Sequence, residues 1–139
     1  SVNLENKELN MKTHEIYICA GEGDLKCNCL VEVLNDCEVS APSCCGIPMK
    51  LIEEKTADQG KEKHVPVIIP VDGGYEVRVG DVPHPMLEKH YINFIELFTT
   101  DAIYRKFLKP DEDPVAFFAT NDDAIGARAY CNIHGLWKS

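Results

Sequence analysis

The stretch Val65-Pro66-Val67-Ile68-Ile69-Pro70-Val71-Asp72-Gly73-Gly74-Tyr75-Glu76-Val77-Arg78-Val79 reads as a β-hairpin. Val65–Val71 is a β-branched run interrupted by two prolines, which cannot donate to a ladder and so belong at an edge or a strand end. Asp72-Gly73-Gly74 supplies the positive-φ residues that a tight turn needs, and Tyr75–Val79 alternates with period two. Working outward, Tyr91–Phe98, Val115–Ala119 and Ile125–Tyr130 read as further strands. Asp111-Glu112-Asp113-Pro114 and Asn121-Asp122-Asp123 between them are turn chemistry. The stretch 103–109 fits a helical turn or a strand equally well. Short strands at regular spacing, separated by turn residues, predict an all-β sandwich.

Upstream the composition changes. Of seven Cys in the 139 residues, six fall between Cys19 and Cys45, leaving Cys131 alone near the other end. Residues 14–52 offer only two short apolar stretches, Ile16–Ile18 and Leu30–Leu34, too few to hold a fold without a metal or disulfides. The odd Cys count, beside an ordinary core composition elsewhere, favours metal-bound thiolates in a reducing compartment over a disulfide framework. Residues 1–13 are polar and without period, and read as a flexible arm. Residues 53–63, rich in Glu and Lys, read as a linker leading into a domain that occupies 53–139.

With 14 basic and 23 acidic residues the net charge is −9, which argues against nucleic acid or an anionic membrane as partner. No apolar run reaches membrane-spanning length and no leader pattern opens the sequence, so a cytoplasmic location is expected.

Four of the five His, namely His64, His84, His90 and His134, lie at the ends of expected strands. His84 sits between Pro83 and Pro85, which stiffen its loop. Cys131-Asn132-Ile133-His134 forms a C-x2-H pair. Singly, each His reads as a surface or core residue; together with the isolated Cys131 they read as a metal site. Structural zinc prefers four ligands with more thiolates, and blue copper uses two His with one Cys. Four imidazoles and a thiolate leave one position of an octahedron open, which suits iron acting directly on a small molecule, with the thiolate pushing electron density onto it.

Three motifs, Glu62-Lys63-His64-Val65-Pro66, Pro83-His84-Pro85-Met86 with Lys89-His90-Tyr91-Ile92, and Cys131-Asn132-Ile133-His134-Gly135-Leu136-Trp137, resemble the superoxide reductase family of neelaredoxins and desulfoferrodoxins. Val31-Glu32-Val33-Leu34 and Cys44-Cys45-Gly46-Ile47-Pro48-Met49 resemble its small desulforedoxin-like amino-terminal module. The resemblance implies an immunoglobulin-like β-sandwich carrying a mononuclear non-haem iron. His64, His84, His90 and His134 would be its equatorial ligands and Cys131 its axial thiolate. Glu62 would be the sixth ligand of the ferric state, and Lys63 the cation beside the open site. The implied reaction is one-electron reduction of superoxide, with two protons, to hydrogen peroxide. The implied partners are rubredoxin or a similar one-electron donor, and a second copy in a homodimer. A dismutase-like activity at the same iron, or a non-catalytic electron carrier, are the alternatives.

One part departs from the family pattern. The module's C-x2-C pair is stretched here, because Ala20-Gly21-Glu22-Gly23-Asp24-Leu25-Lys26 separates Cys19 from Cys27. A second site from Cys19, Cys27, Cys44 and Cys45 is the expectation. A second iron, an iron–sulfur cluster, zinc, or a module that has lost its metal all remain open. Cys29 and Cys37 are extra thiols, and His14 is left as a surface residue.

Overall fold

The computed structural model describes residues 10–58 and 63–139. The described residues divide into two compact units, the first ending at Ile52 and the second beginning at Glu53.

The first unit holds five short strands: β1 (Ile16–Ile18), β2 (Leu30–Glu32), β3 (Ser43–Cys44), β4 (Ile47–Pro48) and β5 (Lys50–Leu51), with one 3-10 turn at Gly23–Leu25. A three-stranded sheet in the order β2-β1-β5 and a β3-β4 hairpin make up its frame. The hairpin turns at Cys45 and Gly46, both with positive φ. Its buried apolar side chains are few, clustered on Tyr17, Val33 and Met49. The 3-10 turn falls inside the insertion between Cys19 and Cys27.

The second unit contains β6 (Glu54–Lys55), β7 (Pro66–Val71), β8 (Gly74–Val79), β9 (Ile92–Thr99), β10 (Ile103–Phe107), β11 (Val115–Ala119), β12 (Ala124–Cys131) and β13 (Gly135–Lys138). One sheet runs β10-β9-β12-β13-β6 and the other β11-β8-β7. The β7–β8 hairpin forms as its turn residues require, with Val71 paired to Gly74 and Gly73 at φ 83°. The two sheets face each other across Val77, Val79 and Phe118 on one side and Ile95, Leu97, Ala127 and Ala129 on the other. Inward positions alternate along each strand, as a half-buried sheet demands. The all-β, immunoglobulin-like sandwich and the small Cys-rich module are as expected from the sequence.

Two local readings change. Residues 54 and 55, within the supposed linker, form a strand that pairs in parallel with β13 through Leu136↔Glu54 and Trp137↔Lys55. Pairing of this kind rests on backbone groups and needs no apolar pattern. The undecided stretch after Asp101 is a strand, since Ile103–Phe107 pairs antiparallel with β9. Among the described residues there is no α-helix, and no helix long and apolar enough to cross a membrane.

Outside the core, the five-stranded sheet buries charge. Glu96 in β9 is 0% exposed and its Oε1 accepts from Arg128 Nε at 2.8 Å. Its Oε2 accepts from Arg105 Nε at 2.9 Å, and Arg128 extends to Glu54 at 3.4 Å. Arg105 and Arg128 are both cross-strand partners of Glu96, so the ladder itself places them.

Candidate metal centre

Antiparallel pairing brings one end of several strands together. The start of β7, the end of β8, the start of β9, the end of β12 and the start of β13 share that end of the sandwich. Every His and Cys singled out in this unit lies there. His64 precedes β7, His84 and His90 lie in the β8–β9 loop, Cys131 closes β12, and His134 lies in the β12–β13 turn. One donor atom from each of the five lies within 4.8 Å of all the others.

The imidazoles form a closed ring of neighbours. Centroid separations are 4.5 Å for His64–His84, 4.9 Å for His84–His90, 5.0 Å for His90–His134 and 4.8 Å for His64–His134. Each step is steeply tilted, from 61° to 88°. His64 Nε2 and His134 Nδ1 are 3.2 Å apart, close to the roughly 3 Å expected of two nitrogens at right angles and about 2.1 Å from one ion. Cys131 Sγ lies 3.8 Å from the same His134 Nδ1. Cys131 is fully buried and part of the hydrophobic core, so this sulfur approaches from the sandwich interior.

Local contacts aim the rings. His84 Nδ1 lies 2.7 Å from the Pro85 carbonyl. An N–H there makes Nε2 the lone-pair nitrogen, the usual way in which an outer hydrogen bond selects a ligand tautomer. His90 is held by paired backbone bonds with Leu87, at 2.9 and 3.1 Å. Asn132 ties the two loops together: its Oδ1 accepts from Tyr91 N–H and its Nδ2 donates to Lys89 O, both at 2.9 Å. Four imidazole nitrogens and one sulfur held this way fit a single iron ion, and His64, His84, His90, His134 and Cys131 would hold it.

Four further residues of this site have no role assigned from the sequence. Asp58 Oδ1 accepts the backbone N–H groups of His64 and Val65 at 2.5 and 2.9 Å. Trp137 stacks on His64 with centroids 4.6 Å apart and 14° between planes. Lys55 Nζ donates to His134 O at 2.9 Å. Gly80, at φ 81°, lies so close to Lys63 that a Cβ would come within 2.5 Å of the Lys63 carbonyl oxygen. Lys63 is half-buried beside His64. Glu62 lies outside the described residues.

In the first unit, Cys19, Cys27 and Cys44 form a second group of donors within 4.8 Å of one another. Cys27 and Cys44 sulfurs are 3.1 Å apart, and Cys45 Sγ lies 3.8 Å from that of Cys44, outside the group. N–H groups of Cys27 and Gly21 hold the Cys19 thiol down to about 7, whereas the hydrogen bond to Cys27 and then burial push Cys44 up. Cys29, Cys37 and His14 are not in either donor group.

Comparison with known proteins agrees with this arrangement. Residues 56–139 match the desulfoferrodoxin family. A desulfoferrodoxin of Desulfarculus baarsii is 53% identical over 113 residues, 81% of this chain and 89% of that protein. One from Nitratidesulfovibrio vulgaris is 49% identical over 126 residues, 91% of this chain and 95% of that protein. The crystal structure of the superoxide reductase from Treponema pallidum superposes with a TM-score of 0.64 at 35% identity, covering 72% of this chain and 84% of the other. With the five donors gathered within the matched span, the chain belongs to the desulfoferrodoxin family.

Proposed function

We propose that this protein is a superoxide reductase, taking superoxide and two protons to hydrogen peroxide with one electron. The observation that carries the reading is the gathering of His64, His84, His90, His134 and Cys131 at one end of the sandwich, with donor atoms within 4.8 Å. Iron, when bound, supplies the one-electron chemistry, giving an electron to superoxide and recovering it from a carrier. Five protein donors leave a sixth direction for a small molecule.

The chain's own groups do the rest. Cys131 is a sulfur ligand in a dry, apolar setting, where its charge is poorly screened and its electron donation strong. Lys63 places a cation beside His64, attracting an anion that the protein's net charge of −9 repels. Its ammonium can also order a proton-delivering water. The resemblance supports Glu62 as the carboxylate that closes the sixth direction in the ferric resting state. Trp137 covers His64 with an indole face, keeping water from that side of the ring.

A rubredoxin-like carrier as electron donor and a homodimer as assembly complete this reading, both supported by the family resemblance, with the cytoplasm as the reducing compartment that metal-bound thiolates call for. Cys19, Cys27, Cys44 and Cys45 are read as ligands of a second metal in the first unit.

The test is anaerobic mixing of the reduced, iron-loaded protein with superoxide while peroxide and oxygen are both followed. One peroxide per superoxide without oxygen release is expected. Oxygen evolved alongside half that peroxide would mean dismutation instead, and no fast peroxide-forming step would mean a simple electron carrier.

A further inference from the structure

Lys55 lies outside the three motifs that carry the iron donors and one residue before the span that matches the family. The strand β6 carries it to the metal centre, because its parallel register sets Lys55 opposite Trp137. There Nζ donates to the carbonyl oxygen of His134 at 2.9 Å and sits 5.0 Å from the centroid of the Trp137 ring. That ring is the one stacked on His64. The next residue after His134, Gly135, takes φ 88°, and a Cβ built on it would lie 3.9 Å from the same Nζ. One ammonium therefore touches the backbone that carries one imidazole and the indole that backs another.

The turn around His134 needs such a hold. Its imidazole presents Nδ1, the nitrogen nearer the backbone, toward His64 Nε2 and Cys131 Sγ. With so short a lever, a small rotation of the His134–Gly135 peptide displaces the donor atom directly. A charged donor on the carbonyl is stronger than a neutral one and restrains that rotation.

We propose that Lys55 is a positioning residue for the iron site, fixing His134 through its carbonyl and adding a second cation to the immediate surroundings of the metal. The inference rests on the superoxide reductase reading only in taking iron as the resident metal.

The experiment uses the full chain loaded with iron, comparing Lys55→Met and Lys55→Arg with the unmodified protein. Two properties are measured: iron release to a chelator and the midpoint potential of the centre. Outer partners of metal ligands typically change metal affinity 10- to 100-fold when removed. Lys55→Met is expected to weaken iron retention by about tenfold and to lower the potential, since loss of a nearby cation favours the ferric state. Lys55→Arg, which keeps both charge and donor, should restore most of each. Unchanged retention and potential in Lys55→Met would overturn the inference, as would an Arg variant no better than Met. Failure of the unmodified chain to take up iron at this site would sink the superoxide reductase reading together with this one.

Discussion

Gly80 illustrates how one missing side chain sets the position of another. Its positive φ and its lack of a Cβ, which would sit 2.5 Å from the Lys63 carbonyl oxygen, allow β8 to end against the segment that delivers Lys63 and His64. Gly80→Ala meets both strain and collision, with backbone rather than a flexible tip as the obstacle. We expect a loss of about 2–4 kcal/mol in stability, read by denaturant unfolding, together with weakened iron binding. A neutral result would mean that the Lys63 segment can yield. Cys19 supports a prediction of a different kind. Its thiol is held down to about 7 by the N–H groups of Cys27 and Gly21, so in metal-free protein it should be alkylated with a pH midpoint near that value. Cys44, pushed upward, should react only at much higher pH. The linkage has a definite sign: the depressed Cys19 value helps the folded state above the ordinary thiol range, and that help is lost as pH falls through about 7. Mass-resolved alkylation of the metal-free chain checks this, and simultaneous labelling of both thiols would refute it.

At the scale of elements, β9 and β12 carry the centre of the larger sheet, and their outer face holds the Glu96–Arg128 pair at 0% and 1% exposure. Glu96→Gln keeps the shape but removes the carboxylate charge that faces the buried Arg128 guanidinium at 2.8 Å. Breaking a buried pair in this way costs about 3–5 kcal/mol, and a fall in Tm of roughly 10 °C or more is expected by calorimetry. A fall of only a degree or two would show that Arg128 finds water. These strands also show where sequence reading succeeds. The β7–β8 hairpin was legible because Asp72-Gly73-Gly74 specifies a turn locally, and the five donors because His and Cys at strand ends are chemically conspicuous. Glu96 was not legible as buried, since Ile95-Glu96-Leu97 alternates as a solvent-facing strand would and its burial depends on arginines from two other strands. β6 was hidden for a similar reason: Glu54 and Lys55 are polar, and their strand exists only through pairing with β13. Asp58 and Lys55 act on backbone groups, which leave no residue-type signal at the receiving end.

For the whole molecule, the net charge of −9 and an anionic substrate pull in opposite directions. Lys63→Ala should therefore lower the bimolecular rate with superoxide by roughly tenfold. It should also change the sign of the salt effect. With the local attraction gone, added salt screens only the general repulsion, and the variant's rate should rise with ionic strength. Pulse radiolysis across a salt series reads both, and an unaltered rate and slope would remove Lys63 from any steering role. A last consequence concerns biosynthesis. His64 and His134 are separated by 70 positions, and the Lys55–His134 bond spans 79. The donor ring thus cannot close before the chain has been synthesised through His134. A chain still emerging from the ribosome can offer iron at most a partial, exchangeable set of ligands. Full coordination of iron therefore waits on a non-local closure of the sheet, a slow kind of step.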